Sequence, residues 1–562
     1  MMKTRTTGSG GFADIVIVNV LALTLDPAGP TSHAIALHGE TILAIGSAME
    51  MAKLTDEQTL IIDGAGGTLL PGFIESHCHL FLGGAELGNL DLSKSEQDIF
   101  RAVRRYAANT PDRQILVVQS AEYGLFSGVV PRDYLDQILP DRALAMMSAD
   151  HHTVWANTAA LRDCGLLYGK ITADGSEIVI GADGMATGEL RETGAFDAVL
   201  DRAGQKRAVL GLVTGGEPDP APTPAERDAD REMLRSATLH LAAHGITSAV
   251  NMDGNLYTLQ LLSELHARGA LPVRVQVAFH FKPQMDLSAL DKASAMMCDW
   301  QGDWLRGGLV KLFMDGVLDS RTAVRLDDDP GRSAALLFAP DRFAEIAIAA
   351  DRRGLQIAVH AIGDGAVRAT IDGYAATRAA NGARDSRHRI EHIELIDPAD
   401  VPRLAALGIV ASLQPAHVPG AMDFPLEPVA GIIGQARLAD AFRCATLDAP
   451  LAFGSDWPVA DASVLRGIQA HLTRAGWGAE CADERVGLAA TLDAYTRGGA
   501  WASHCDDRRG KLKPGYLADL TLLEGDITTT PYAEIGKMHV ALTICGGRIT
   551  YRKPDASMET PQ

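Results

Sequence analysis

A chain of 562 residues, 47% hydrophobic and 22% charged, has enough apolar mass for a large core and more than one domain. Its formal net charge of −20 argues against nucleic acid or an anionic membrane surface as the main partner, because both reward basic patches. The same charge favours solubility and leaves a small-molecule substrate open.

Met1 to Phe12 is polar and glycine-rich and reads as disordered. Ile15 to Leu25 is apolar but too short to span a bilayer. It follows an acidic residue and precedes no small-residue cleavage site, so it reads as a strand rather than a signal peptide. Ala13–Leu25, Ala34–Gly46 and Thr59–Asp63 all alternate β-formers with turn residues.

The next strand, Thr68–His77, runs into His77-Cys78-His79. Alternate residues of a strand point the same way, so the two imidazoles share a side and Cys78 faces the other. Similar short apolar runs recur at Ile246–Met252, Val273–His280, Leu309–Asp315, Gln356–His360, His388–Ile393, Ile409–Gln414 and Pro450–Asp456. Alanine-rich helical stretches separate them, which predicts parallel βα units and an α/β fold, a (β/α)₈ barrel over residues 67–508. The gap at residues 81–240 is too long for one βα connection and predicts an inserted subdomain. Inside it Ile115–Ser120, Ala143–Ser148 and Glu177–Ile180 read as strands, and Gly215 to Asp230 reads as an exposed linker or lid loop. Strands return at Asp519–Leu523 and at Val540–Tyr551, the latter with a Gly546-Gly547 hairpin signal. The seven cysteines form no CxxC pair, so free thiols in a reducing, cytoplasmic setting are expected.

Barrel enzymes place reactive groups at the C-terminal ends of their strands. Here those ends offer His77, His79, Lys311, His360, His392 and Asp456. A lone histidine there is more often a core residue, a lone Gly-Ser-Asp more often a helix cap, and Lys311 alone could pair with Asp315. Six such residues in barrel order point instead to a metal site, and imidazole with carboxylate suits Zn²⁺, with Mn²⁺ or Fe²⁺ as alternatives.

That ordered set resembles the amidohydrolase superfamily of metal-dependent hydrolases. The stretches PGFIESHCH, ADHHTVWANTAAL, GMATGELRE, GITSAV, VKLFMDGVLDSRTA, HAIGDGA, HRIEHIEL, SLQPAH, GSDWPV and GKLKPGYLADLTLLEGD resemble its amidohydrolase family 3 branch, which includes N-substituted formamide deformylases. The resemblance implies a barrel plus a small β-sandwich built from residues 1–66 and 509–562. It makes His77 and His79 ligands of a more buried metal, His360 and His392 ligands of a second, and Lys311 a carboxylated bridge between them. Asp456 becomes a ligand and proton carrier. A one-metal variant leaves the lysine unmodified and turns His392 toward a water. Glu75 departs from the aspartate common before the histidine pair, and Arg497 is bulkier than usual at its place.

The implied reaction is hydrolysis of a carbon–nitrogen bond in a small non-peptide amide or formamide, with zinc, one or two per chain, as cofactor. Ester or lactone hydrolysis or decarboxylation would fit the same site, and a non-catalytic assembly protein is the alternative of another class. Tyr123, His152, Arg321, His417 and Trp457 are candidate substrate contacts, with Trp155 as a further aromatic wall and Arg321 or Arg497 as a partner for a substrate carboxylate. A homodimer is the expected assembly, since two-fold symmetry is commonest.

Overall fold

Eight short, largely buried runs pair side by side, in parallel and in chain order. They are β1 (Phe73–Cys78), β2 (Ile246–Asn251), β3 (Arg274–His280), β4 (Leu305–Phe313), β5 (Gln356–Ala361), β6 (Arg389–His392), β7 (Val410–Leu413) and β8 (Leu451–Phe453). Past the end of β8 the chain returns to β1. Asp456 N–H donates to the His77 carbonyl and His79 N–H to the Trp457 carbonyl, each at 2.8 Å. The result is an eight-stranded (β/α)₈ barrel. Its strands are apolar without alternation because helices such as Leu256–Ala267, Pro340–Arg352 and Asp364–Asn381 cover the face turned away from the barrel interior. The structure is a computed structural model. It describes residues 11–554 apart from 28, 30, 31, 96, 149, 150, 152, 173–175, 319, 320, 328–333, 422–425, 479 and 480.

The run read as one strand, Thr68–His77, is two. Thr68–Pro71 pairs antiparallel with Leu520–Leu523, and β1 begins after Gly72. A Cβ at Gly72 would collide with the Thr247 side chain, so glycine lets the chain pass from one sheet to the other. Thr68–Pro71 belongs to a five-stranded sheet with Leu21–Ala22, Leu520–Leu523, Val540–Cys545 and Arg548–Arg552. A four-stranded sheet holds Thr41–Gly46, Ala34–His38, Ile15–Val18 and Leu60–Asp63. Ile17, Ile35 and Leu37 of one sheet pack with Leu69, Leu520, Leu542 and Ile544 of the other, a sandwich core drawn from both ends of the chain. Gly546 (φ 58°) and Gly547 (φ 68°) supply the two left-handed residues of the predicted hairpin.

Leu80–Ala237 forms a second compact unit. Its six-stranded sheet runs Glu177–Ile180, Ala186–Arg191, Thr153–Ala156, Ala143–Ser148, Ile115–Ala121, Leu90–Asp91. Three of these strands escaped the sequence reading because they are very short or carry charges. The reading of Gly215 to Asp230 as loop overran. A helix starts at Pro224, where Glu226 N–H donates to Thr223 Oγ1 and Thr223 N–H donates to Glu226 Oε2. This Thr-Pro-Ala-Glu capping box starts the helix despite the acidic run that follows.

Candidate active site

The C-terminal ends of the strands gather the expected groups. His77 and His79 project together, while Cys78 turns away to contact the Val250 carbonyl. Asp456 Oδ1 lies 3.3 Å from His77 Nε2 and 2.9 Å from His79 Nε2. All three residues are buried, and their ligand atoms fall within 4.8 Å of one another. A second group, equally close, is His392, His417 and Asp456. The His392 and His417 rings lie nearly parallel, 6.3 Å apart.

Backbone geometry puts two of these residues in place. His392 (φ 77°) and Asp456 (φ 61°) are in the left-handed region, which costs a non-glycine residue on the order of 1–3 kcal/mol and clusters at functional sites. At the end of β6 this breaks the alternation. Glu391 points into the barrel with Arg389, and His392 is then turned to meet His77, with ring centroids 5.0 Å apart. Glu391 Oε2 accepts from His77 Nδ1 at 2.8 Å and from Arg389 Nη2 at 2.9 Å. Arg389 also donates to Glu391 Oε1, the Ser76 carbonyl and Ser412 Oγ. With Nδ1 committed, His77 presents Nε2 to Asp456. Asp253 takes a similar place 3.5 Å from His79 Nδ1. Glu391, Arg389 and Asp253 were absent from the sequence reading. The available signal was Arg-x-Glu inside an apolar strand, since charged residues are fully buried only when paired.

Burial, then the Lys311 ammonium, pushes His77 down to about 4, so its imidazole is neutral, the form a metal needs. Burial also draws His360 down to about 3 and His392 well below the usual range. At His79 burial is outweighed by Asp253 and Asp456, which raise it to about 10. At Asp456 burial is outweighed by His77 and His79, which hold the carboxyl well below its usual range. Lys311 is wholly buried and drawn down to about 8 by that burial. Among the described residues its Nζ has no hydrogen-bond partner, and neither does His392 Nδ1, whereas Asp456 Oδ1 is paired with His79 and His77. Imidazole nitrogens and a carboxylate that converge in this way fit a divalent cation.

Other predicted residues fall elsewhere. His360 Nε2 donates to the Gly316 carbonyl at 3.0 Å, although its ring sits 4.6 Å from that of His392. Asp315 is no partner for Lys311, because its carboxylate accepts from the backbone N–H of Val324, Ile362 and Gly363. Trp457 is buried, helps to close the barrel and stacks on His240 at 5.2 Å. Arg321 lies on the exposed surface. Arg497 pairs with Asp493 at 3.2 Å on a turn packed against Leu451, at the N-terminal end of β8 and away from the ligands. Tyr123 and Trp155 belong to the second unit. Tyr123 is half exposed and bonds Thr153 at 2.9 Å, and Trp155 is a core residue against Phe126. His152 lies outside the described residues. A small cavity, with about 20 Å³ of room for the centres of water-sized molecules, shares His392 and His417 with the ligand groups and is lined further by Gln414, Phe442, Arg443 and Arg474.

This barrel and ligand set are those of a metal-dependent hydrolase. The model of the Amidohydrolase family matches residues 60–551. Protein LONG AFTER FAR-RED 3 of Arabidopsis thaliana is 30% identical over 98% of this chain and 94% of its own. N-substituted formamide deformylase of Arthrobacter pascens is 25% identical over 96% of this chain and 98% of its own. The crystal structure of an uncharacterised metal-dependent hydrolase from Pyrococcus furiosus superposes with a TM-score of 0.70 at 26% identity, covering 91% of this chain and 99% of that one. The chain belongs to the amidohydrolase family. It is an amidohydrolase-type enzyme whose His77–His79–Asp456 cluster suits a metal that activates water against a carbon–nitrogen bond. Among the described residues no helix is long and apolar enough to cross a membrane.

Proposed function

We propose that the protein hydrolyses the carbon–nitrogen bond of a small, non-peptide amide or formamide. The observation that carries this reading is the convergence of the His77, His79 and Asp456 ligand atoms within 4.8 Å at the joined ends of β1 and β8. The formamide deformylase of Arthrobacter pascens, 25% identical along almost the whole chain, supports the choice of substrate class.

His77, His79 and Asp456 would hold one cation, zinc by preference. His392, with His417 or His360, and a carboxylated Lys311 would hold a second. For Lys311 the support is a wholly buried Nζ without a hydrogen-bond partner among the described residues, a costly state that addition of CO₂ to the neutral amine, with loss of a proton, would relieve. A divalent cation supplies Lewis acidity, polarising a carbonyl and making water nucleophilic near neutral pH. Asp456 then takes a proton from the attacking water and delivers it to the leaving nitrogen. His417 stands beside His392, where it can donate a hydrogen bond to the carbonyl oxygen. Glu391 keeps the His77 ring fixed throughout. The seven unpaired cysteines support a reducing, cytoplasmic setting.

The test is elemental analysis of protein purified without chelator, followed by a screen of matched N-formyl amides, N-acyl amides, esters and lactones. Bound transition metal with preference for the amides supports the reading. Less than about 0.2 equivalents of any such metal, with chelator-insensitive turnover, sinks the metal site. Preference for esters moves the assignment to a different bond.

A further inference from the structure

The N-terminal end of the barrel, opposite the catalytic groups, holds a separate cavity with about 20 Å³ of room for the centres of water-sized molecules. Ile74, Ser248 and Gln276 line it from β1, β2 and β3, and the segment from Ala500 to Arg509 closes it. Three guanidinium groups reach it, those of Arg274 at the start of β3, Arg306 in β4 and Arg509 in the closing segment. Arg274 is 1% exposed and Arg509 is 8% exposed.

Their donors are only partly used. Arg274 bonds Asp519 through Nε at 2.8 Å and Nη2 at 3.0 Å, but its Nη1 is buried without a partner. Arg306 Nη1 donates to the Ser503 carbonyl at 2.9 Å and meets Cys505 Sγ at 2.6 Å. Arg509 Nη2 donates to the Asp303 carbonyl, while its Nε is buried without a partner. Ser248 Oγ and Ser503 Oγ are in the same condition. Asp303 is the one carboxylate lining the cavity; Arg508 holds its Oδ2 at 2.5 Å, and its Oδ1 lies 3.7 Å from Arg509. With Asp519 counted, and Glu40 at 3.8 Å from Arg274 Nη2, four guanidinium groups including Arg508 meet three carboxylates; among the described residues four buried donors have no acceptor, and Gln276 Oε1 is a buried acceptor without a donor. Unmet buried donors destabilise a fold, and a positive surplus in a confined space attracts a counter-ion.

We propose that this cavity binds a small inorganic anion, chloride or an oxyanion of phosphate size, which ties the Ala500–Arg509 segment to β2 and β3. The anion acts on stability and not on turnover, because the ligands of the catalytic centre lie at the other end of the strands.

Thermal unfolding of the metal-loaded enzyme tests this. Sodium gluconate is replaced stepwise by sodium chloride, and in a second series by sodium phosphate, at constant ionic strength. A saturable rise in Tm of about 2 °C or more is expected in at least one series, and the more effective salt identifies the anion. Arg509→Lys removes the Nε donor while keeping the charge, and should abolish most of the rise with metal content and kcat unchanged. Ser503→Ala serves the same purpose if the arginine variant does not fold. Crystals grown in bromide should show an anomalous peak in contact with Arg274 Nη1 or Arg509 Nε. The absence of any saturable rise, a rise undiminished in both variants, or no bromide peak in the cavity would overturn the proposal.

Discussion

Glu391 offers the sharpest test of how this site is built. It is fully buried and hydrogen-bonds the predicted ligand His77. Its carboxylate accepts a hydrogen bond from His77 Nδ1 at 2.8 Å and two from Arg389 at 2.8 and 2.9 Å. Glu391→Gln keeps the shape and leaves an oxygen to accept from Nδ1, but removes the charge that orients the ring. Loss of such a partner costs roughly 10- to 100-fold in metal affinity, about 1.4–2.7 kcal/mol. Glu391→Ala also strands Arg389 inside the barrel, and an uncompensated buried charge costs about 3–5 kcal/mol of stability. Both variants leave Arg389 without its counter-charge. In Glu391→Gln, as in Glu391→Ala, metal affinity measured by chelator competition should fall at least tenfold, and the unfolding midpoint of the metal-free protein should fall with it. Wild-type metal affinity in both variants would refute the link from Glu391 to His77.

Replacing His77 and His79 together by alanine should remove bound metal and turnover in parallel, as read by elemental analysis and the amide assay. Asp456→Asn should lower kcat by roughly 10²- to 10⁴-fold with the fold intact, and a near-normal kcat would pass the proton role to His417 or His392. Asp519→Asn should cost about 3–5 kcal/mol in denaturant unfolding, because it strands Arg274, which is 1% exposed. The same pair carries a pH signature. Burial raises the Asp519 carboxyl, but Arg274 outweighs this and holds it below its ordinary value. Its contribution is therefore complete above the unfolded pKa, near 4, and is lost as pH falls through the folded value. The stability gap between wild type and Asp519→Asn should shrink on acidification, and a gap that widened would refute the assignment.

Much of the barrel was legible because parallel strands buried on both faces leave short apolar runs, and a strand end with two histidines two residues apart shows its geometry in one dimension. The misses have physical causes. Gly72 looked like one more residue of a strand, because the close approach of Thr247 that makes it a sheet-to-sheet crossing joins residues far apart in sequence. Glu391 was hidden by the left-handed backbone of His392, which lets neighbours in sequence serve one centre, contrary to simple alternation. Arg497 looked available to substrate until its turn was seen at the N-terminal end of β8, where Asp493 neutralises it. The Trp155 ring looked like a pocket wall but fills the core of the second unit, and nothing in its local sequence separates the two.

The energetic cost of the site argues against a protein that kept the barrel and lost its chemistry. Among the described residues Lys311 Nζ is buried without a hydrogen-bond partner, and His392 and Asp456 hold a left-handed backbone conformation. Strain at those two residues alone is on the order of 2–6 kcal/mol, comparable with the whole margin of stability of many domains. Substitution of Lys311 by an apolar residue, or of His392 by glycine, would be stabilising in a purely structural barrel. Their joint presence, supported from behind by the fully satisfied Glu391–Arg389–Ser412 network, makes sense when a cation compensates the unpaired donors and acceptors.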